Sequence, residues 1–346
     1  MLAADPDAVA APVPDALSRS LLAWKQVAGP VEPFLQSVNR ALAQQVQEFD
    51  PEIAGYAEYA LAAQGKQLRP VLVALSAGAC DRANDAHVLA AVIIEMVHLA
   101  TLAHDDVMDE AQIRRGRPTL AANWGNEISV LLGDCLFAHA LKLAASFPTP
   151  EICRAVAAAT HTVCSGEILQ TQRRKNFELT RGEYFKVLTM KTGELFALSC
   201  ELGAFLSRAN SGERSALRRF GLAIGTAYQV YDDCMDLFGN EAKAGKSLGT
   251  DLAKGKLTLP MIIAMEQATD AEREQFQALV QDWDAAHLPL VLRWLRKYEA
   301  LAGSRESVHI YLQSARESLT ALPESESRAG LAGLTEYLAR QADALG

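Results

Sequence analysis

From Ala83 to Thr119 the chain reads ANDAHVLAAVIIEMVHLATLAHDDVMDEAQIRRGRPT. Between Ala86 and Ala103 the only strongly polar side chains are His87, Glu95, His98 and Thr101. That pattern describes a helix buried over most of its circumference. It ends in Asp105, Asp106 and Asp109, whose spacing of three and four residues puts the carboxylates on roughly one face. Like charges so arranged repel one another and are costly to desolvate. Taken alone, the string is open to two readings: a solvated acidic helix end, or hard oxygen donors for a cation such as magnesium.

The pattern occurs twice. At YQVYDDCMD (228–236), Asp232, Asp233 and Asp236 repeat the spacing, and the apolar stretch FGLAIGTAYQVY leads into them. Two buried helices with the same acid tip are expected to be two walls of one pocket. Six facing carboxylates need divalent cations and an anionic ligand to bridge them, and a diphosphate meets that demand because magnesium shares itself between carboxylates and phosphates.

The net charge of −9 and pI near 5.4 argue against a nucleic-acid surface. An acidic chain that binds anions must do so through local basic clusters. Lys66 and Arg69 stand at the head of an apolar helix, where a helix N-terminus adds to their pull on an anion; surface charges beside a helix start are the plainer reading. Arg114, Arg115 and Arg117 crowd a loop before Pro118, and guanidinium forks suit bidentate phosphate contacts. Lys191-Thr192 adds another possible contact, and Lys243, Lys246, Lys254 and Lys256 lie in a Gly/Lys-rich loop that could close over a phosphate or serve as a solvated linker.

Helical patterns follow one another along the chain with few strand signals, including 125–146, 150–172, 180–206 and 213–238. Residues 1–20 carry acids and prolines and are expected to form a disordered lead before a helical domain over 21–346. The apolar run at 86–103 is interrupted by Glu95 and His98, so no transmembrane segment is expected. The six cysteines form no CxxC pair and read as reduced thiols of a cytoplasmic protein. Glu95-x-x-His98 has the form of a di-iron ligand unit, but the second unit such a site needs is missing.

Six strings, GKQLRP (65–70), HLATLAHDDVMDEAQIRRGRPT (98–119), GEILQ (166–170), MKTGELF (190–196), YQVYDDCMD (228–236) and GTDLAKGKLTLP (249–260), together resemble the trans-isoprenyl diphosphate synthase (polyprenyl synthetase) family. The resemblance implies an all-α, isoprenoid-synthase-type helical bundle around a central cavity, and a homodimer. It implies a transferase that condenses isopentenyl diphosphate with an allylic diphosphate, using about three magnesium ions per site. Asp105, Asp109 and Asp232 match the magnesium-binding positions, and Asp106, Asp233 and Asp236 complete the motifs. Lys66, Arg69, His98 and Arg115 match the isopentenyl diphosphate site. Arg114, Lys191, Thr192, Gln229, Lys246 and Lys256 match contacts to the allylic diphosphate.

Product length is then a steric matter. Thr101 and Ala100, one turn before Asp105, are small, with Met96 and Val97 expected as a deeper floor. At 5.4 Å per turn, comparable to one isoprene unit, this predicts a long all-trans chain of roughly six to ten units, with transient membrane contact for its release. The alternatives are a farnesyl or geranylgeranyl diphosphate synthase, a class I terpene cyclase, or a non-catalytic partner subunit.

Overall fold

Side-chain caps set where the two acid-bearing helices begin. Asn84 accepts the Ala86 N–H at 3.0 Å, while its own N–H donates to the His87 ring at 3.1 Å. Asn210 accepts the Glu213 N–H at 3.0 Å and Glu213 returns the bond to the Asn210 N–H at 3.0 Å, a reciprocal capping box. The computed structural model describes residues 24–25, 27–62, 65–239 and 248–345. The expected lead over 1–20, and Lys243 and Lys246, lie outside the described residues.

In chain order the helices are α1 (Glu32–Gln45), α2 (Ala54–Leu61), α3 (Leu68–Cys80) and α4 (Asp85–Met108). A hairpin of two-residue strands follows, β1 (Ile113–Arg114) and β2 (Arg117–Pro118). Then come α5 (Leu120–Trp124), α6 (Asn126–Ala145), α7 (Pro150–Gln172), α8 (Arg181–Leu188), α9 (Glu194–Leu206) and α10 (Ser211–Phe238). The last six are α11 (Thr250–Ala253), α12 (Leu259–Gln267), α13 (Asp270–Gln281), α14 (Leu288–Lys297), α15 (Ala300–Ser318) and α16 (Glu326–Asp343). The expected all-α class holds: the hairpin is the only sheet among the described residues.

Helix α4 packs against α6, α3, α1 and α9, while α10 packs against α9 and α15. The apolar residues form two clusters that meet at α3 and α9. Leu195, Leu198 and Leu202 of α9 join the cluster around α4, whereas Phe196, Cys200 and Ala204 join the one around α10. Glycine lets these helices touch: a Cβ at Gly203 would stand 2.6 Å from the Val73 carbonyl oxygen of α3. Among the described residues, two helices are long and apolar enough to cross a membrane, Asp85–Met108 and Asn126–Ala145. The first is a core helix, with 67% of its most apolar window buried in the molecule.

One boundary departs from the sequence pattern. The single helix expected over 180–206 is two helices joined by a π-turn segment, Thr189–Gly193. One extra residue per turn swells the helix there, and such bulges recur at functional sites.

Candidate active site

Both acid-tipped helices open onto one cavity of about 1370 Å³. Asp105 and Asp109 of α4 line it, as do Asp232 and Asp233 of α10 and Asp251 of α11. Lys66, Arg69, His98, Thr101, Arg114, Arg115, Lys191, Thr192, Gln229 and Lys256 line the same space. The two walls inferred from the repeated motif therefore face a common interior.

Each wall splits its acids between the cavity and the scaffold. On the first wall, Asp109 caps the C-terminal end of α4 and meets Lys256 Nζ at 2.8 Å, Arg174 at 3.1 Å and Lys254 at 3.3 Å. Burial alone would raise its carboxyl, but Lys256, Lys254 and Lys191 outweigh that and hold it below the usual range. Asp105 lies 3.6 Å from Lys191 Nζ, which also pairs with Glu167 and donates to Gln170 Oε1 at 2.9 Å. Burial pulls the Lys191 ammonium down, and Asp105 and Glu167 raise it further than burial lowers it. Asp106 does not line the cavity, contrary to the shared-face expectation. One residue past Asp105 is about 100° around the helix, so its buried carboxylate instead takes Arg114 Nε at 2.7 Å.

On the second wall, Asp233 accepts from the Tyr184 hydroxyl at 2.6 Å and from Gln229 Nε2 at 2.9 Å. Burial first, then Asp251, pushes its carboxyl up to about 8. Asp236 is the other correction: it is fully buried and not among the cavity-lining residues. Its carboxylate accepts from Thr250 Oγ1 at 2.6 Å and from the Asp251 N–H at 3.0 Å, while its carbonyl takes the Gly249 N–H at 2.7 Å. Asp236 thus ties down the turn that carries Asp251, Lys254 and Lys256. The π-turn segment brings Lys191 and Thr192 to the cavity, where Thr192 Oγ1 donates to Gln229 Oε1 at 2.8 Å.

A second group of cations lies around His98. In the hairpin, Arg114 pairs with Arg117, and the turn between them needs positive φ at both Arg115 (53°) and Gly116 (74°). Tyr59 pins this hairpin, donating to the Pro118 carbonyl at 2.7 Å and lying 4.3 Å beneath the Arg117 guanidinium. The Arg115 guanidinium covers Gly65, where a Cβ would stand 2.7 Å from its Cζ. Arg69 lies 5.0 Å over the Phe196 ring, and its buried Nε has no hydrogen-bond partner. Burial, then Arg69, Arg115 and Arg114, hold His98 well below the ordinary imidazole range, so it is neutral at pH 7. Burial raises the Glu95 carboxyl against the opposing pull of Arg69 and Arg115. Glu95 and His98 thus face arginines, which disposes of the di-iron pattern.

The expected floor lies elsewhere. Thr101 lines the cavity with Leu102, Phe137, Val163 and Leu195. Ala100, Met96 and Val97 are buried in the packed cluster beneath and do not reach it. Thr101 shares the Asp105 face at four residues' separation, whereas the rotation of the helix turns Ala100 into the core.

Sequence reasoning passed over several lining or contacting groups. Glu167 and Gln170 sit in GEILQ, where spacing alone assigns neither a role. Arg174 lies in the basic run just past α7, and Asp251 sits in GTDLAKGK three residues before Lys254. Among the described residues no three His, Cys, Asp or Glu side chains converge into a ready-made metal cluster. The donors that face the cavity are nonetheless carboxylates, the hard oxygen ligands that magnesium takes in small number alongside substrate phosphates.

Comparison with known proteins agrees with this geometry. The polyprenyl synthetase family model matches residues 50–290. Heptaprenyl diphosphate synthase component 2 of Bacillus subtilis (strain 168) is 34% identical over 304 residues, covering 88% of this chain and 87% of that protein. Octaprenyl diphosphate synthase of Escherichia coli (strain K12) is 31% identical over 310 residues, covering 89% and 96%. Among solved structures, a decaprenyl diphosphate synthase from Rhodobacter capsulatus matches with a TM-score of 0.87 at 32% identity, over 92% of this chain and 99% of that one.

Proposed function

The chain belongs to the polyprenyl synthetase family, and on that premise we propose that it condenses isopentenyl diphosphate with an allylic diphosphate, head to tail, into a long-chain all-trans polyprenyl diphosphate. The observation that carries this reading is the shared cavity: Asp105, Asp109 and Asp232 face it together with Lys191, Lys256 and the arginines around His98.

Asp105, Asp109 and Asp232 would hold magnesium against the allylic diphosphate. When bound, the metal supplies positive charge to the departing diphosphate. Lys191, Lys256, Lys254, Arg114 and Arg174 supply the rest, because negative charge grows on the diphosphate oxygens as the allylic C–O bond ionises. These cations lean on Asp109, Asp105 and Asp106, so an incoming diphosphate meets charge already gathered at its binding place. Lys66, Arg69, Arg115 and the neutral His98 hold isopentenyl diphosphate so that its double bond meets the allylic cation. The proton lost in forming the trans double bond passes to the released diphosphate. Leu102, Phe137, Val163 and Leu195 line the remaining space with hydrocarbon, which excludes the water that would quench the cation.

Small Thr101 below Asp105 leaves room for a growing tail, and the relatives named above make seven-unit, eight-unit and ten-unit chains according to their names. The six thiols are unpaired, which suits a reducing cytoplasm, where we place the enzyme. The test is incubation of the protein alone with magnesium, isopentenyl diphosphate and farnesyl diphosphate, followed by chromatographic sizing of the extracted products. Elongation to a long chain is expected. Cyclised hydrocarbon would make the chain a cyclase, and inertness relieved only by a second protein would make it one half of a two-component enzyme.

A further inference from the structure

Lys66 is held in a way that the other cavity lysines are not. Lys191 and Lys256 rest on carboxylates, whereas Lys66 Nζ donates to the hydroxyl of Tyr337 at 2.9 Å and stands 5.4 Å from the centre of that ring. Tyr337 belongs to α16, 271 residues further along the chain. It is itself immobilised: its side chain is buried and its ring packs on Trp24 at 5.6 Å. Behind Lys66 lies a small cavity of about 50 Å³ walled by Phe196, Tyr228, Tyr231 and Tyr337, so aromatic rings back both Lys66 and Arg69.

A phenol and a carboxylate do different things for a lysine. A carboxylate fixes the ammonium and cancels its charge, which suits a cation that must be released to a stronger anion. A phenol fixes it by one hydrogen bond while leaving the full positive charge and two N–H donors for a ligand. Lys66 is exposed at the head of α3 on a flexible four-carbon stem, so without such a partner its ammonium would sample many rotamers.

We propose that Tyr337 is a positioning residue for the isopentenyl diphosphate half of the site, holding the Lys66 ammonium where it meets that substrate's diphosphate. The inference rests on the assignment of Lys66 and Arg69 to isopentenyl diphosphate made above. It makes the last helix of the chain part of substrate binding without its touching the substrate.

The test is steady-state kinetics of the full chain with each substrate varied in turn, for wild type, Tyr337→Phe, Lys66→Ala and the double variant. Tyr337→Phe keeps the ring and the packing against Trp24 and removes only the hydroxyl. It is expected to raise KM for isopentenyl diphosphate roughly fivefold, the effect of one hydrogen bond, with KM for farnesyl diphosphate, kcat and Tm unchanged. Because Tyr337 acts through Lys66, the double variant should bind isopentenyl diphosphate no worse than Lys66→Ala alone. Equal shifts in both KM values, no shift in either, a fall in Tm that accompanies the loss, or full additivity in the double variant would each overturn the inference while leaving the reaction standing. A wild-type protein that condenses nothing would overturn the functional reading, and this inference with it.

Discussion

Asp109 is the most heavily partnered acid of the first wall, with Lys256, Lys254 and Arg174 all within 3.3 Å. Removing its charge leaves three cations facing one another and deletes a proposed metal ligand, so two losses fall on the same step. Asp109→Asn is therefore expected to lower kcat by on the order of a thousandfold, with the helical circular-dichroism signal retained; a variant within tenfold of wild type would remove Asp109 from the machinery. Asp233 behaves differently, because burial first and Asp251 second lift its carboxyl from 3.8 to about 8. A folded-state value above the unfolded one means that the native protein binds the extra proton. The stabilisation this brings is complete below about pH 4 and is lost as pH rises through about 8. The amide of Asp233→Asn mimics the neutral acid, so this variant should flatten the decline of Tm between about pH 5 and pH 9 in chelator-containing buffer. An undiminished slope would mean that the Tyr184 hydroxyl and the Gln229 amide hold Asp233 ionised despite its burial.

At the scale of elements, α4 and α10 were legible because their signals are local: an apolar helical period, an Asn cap and an acid tip lie within thirty residues of each other. What could not be read was rotation and contact. The same triplet spacing leaves Asp105 and Asp109 in the cavity while turning Asp106 to Arg114 and Asp236 to Thr250, and only the neighbouring elements decide which acid goes where. The π-turn segment was invisible for a similar reason: its Thr-Met-Lys-Thr-Gly sequence fits an ordinary helix, and Gly166 of α7 crowds it so closely that a Cβ there would stand 2.8 Å from the Lys191 nitrogen. Arg174 and Asp251 reach the first and second walls across the fold, so no spacing announced them. The same rotation decides how product length can be changed. Thr101 faces the cavity and Ala100 faces the packed cluster, so Thr101→Phe should shorten the products by several isoprene units, sized by chromatography. Ala100→Phe should instead overpack the core, costing about 1–3 kcal/mol of stability with little change in the length distribution. If Ala100→Phe shortened the chain and Thr101→Phe did not, this assignment of the tail's path would be wrong.

For the whole molecule, α6 is the helix whose burial does not match its composition. It is long and apolar like α4, yet only 39% of its most apolar stretch is buried, against 67% for α4. Leu131 is 60% exposed, Val130 next to it and Leu141 further along the helix are exposed too, and Ile168 on the neighbouring α7 is 59% exposed. An uncovered apolar face of this kind on a helix pair is a place for a partner. The expected homodimer would cover it with a second copy of the same face. Val130 and Ile168 line the cavity as well as this surface, so the second copy would also close the side of the cavity and keep water from the reacting carbons. Wild-type protein should therefore sediment at twice the 37.4 kDa chain mass. Leu131→Glu puts a charge where two apolar faces meet, an unpaired charge that a closed interface desolvates at high cost, and should shift the protein to monomer at micromolar concentration. Because Leu131 does not itself line the cavity, the accompanying effect on chemistry is diagnostic: the monomer should turn over more slowly and release prenyl alcohol from cation captured by water. A wild-type protein that sediments at the mass of one chain would leave α6 without its second copy, and a monomeric variant with undiminished condensation and no alcohol would show that each chain seals its own cavity.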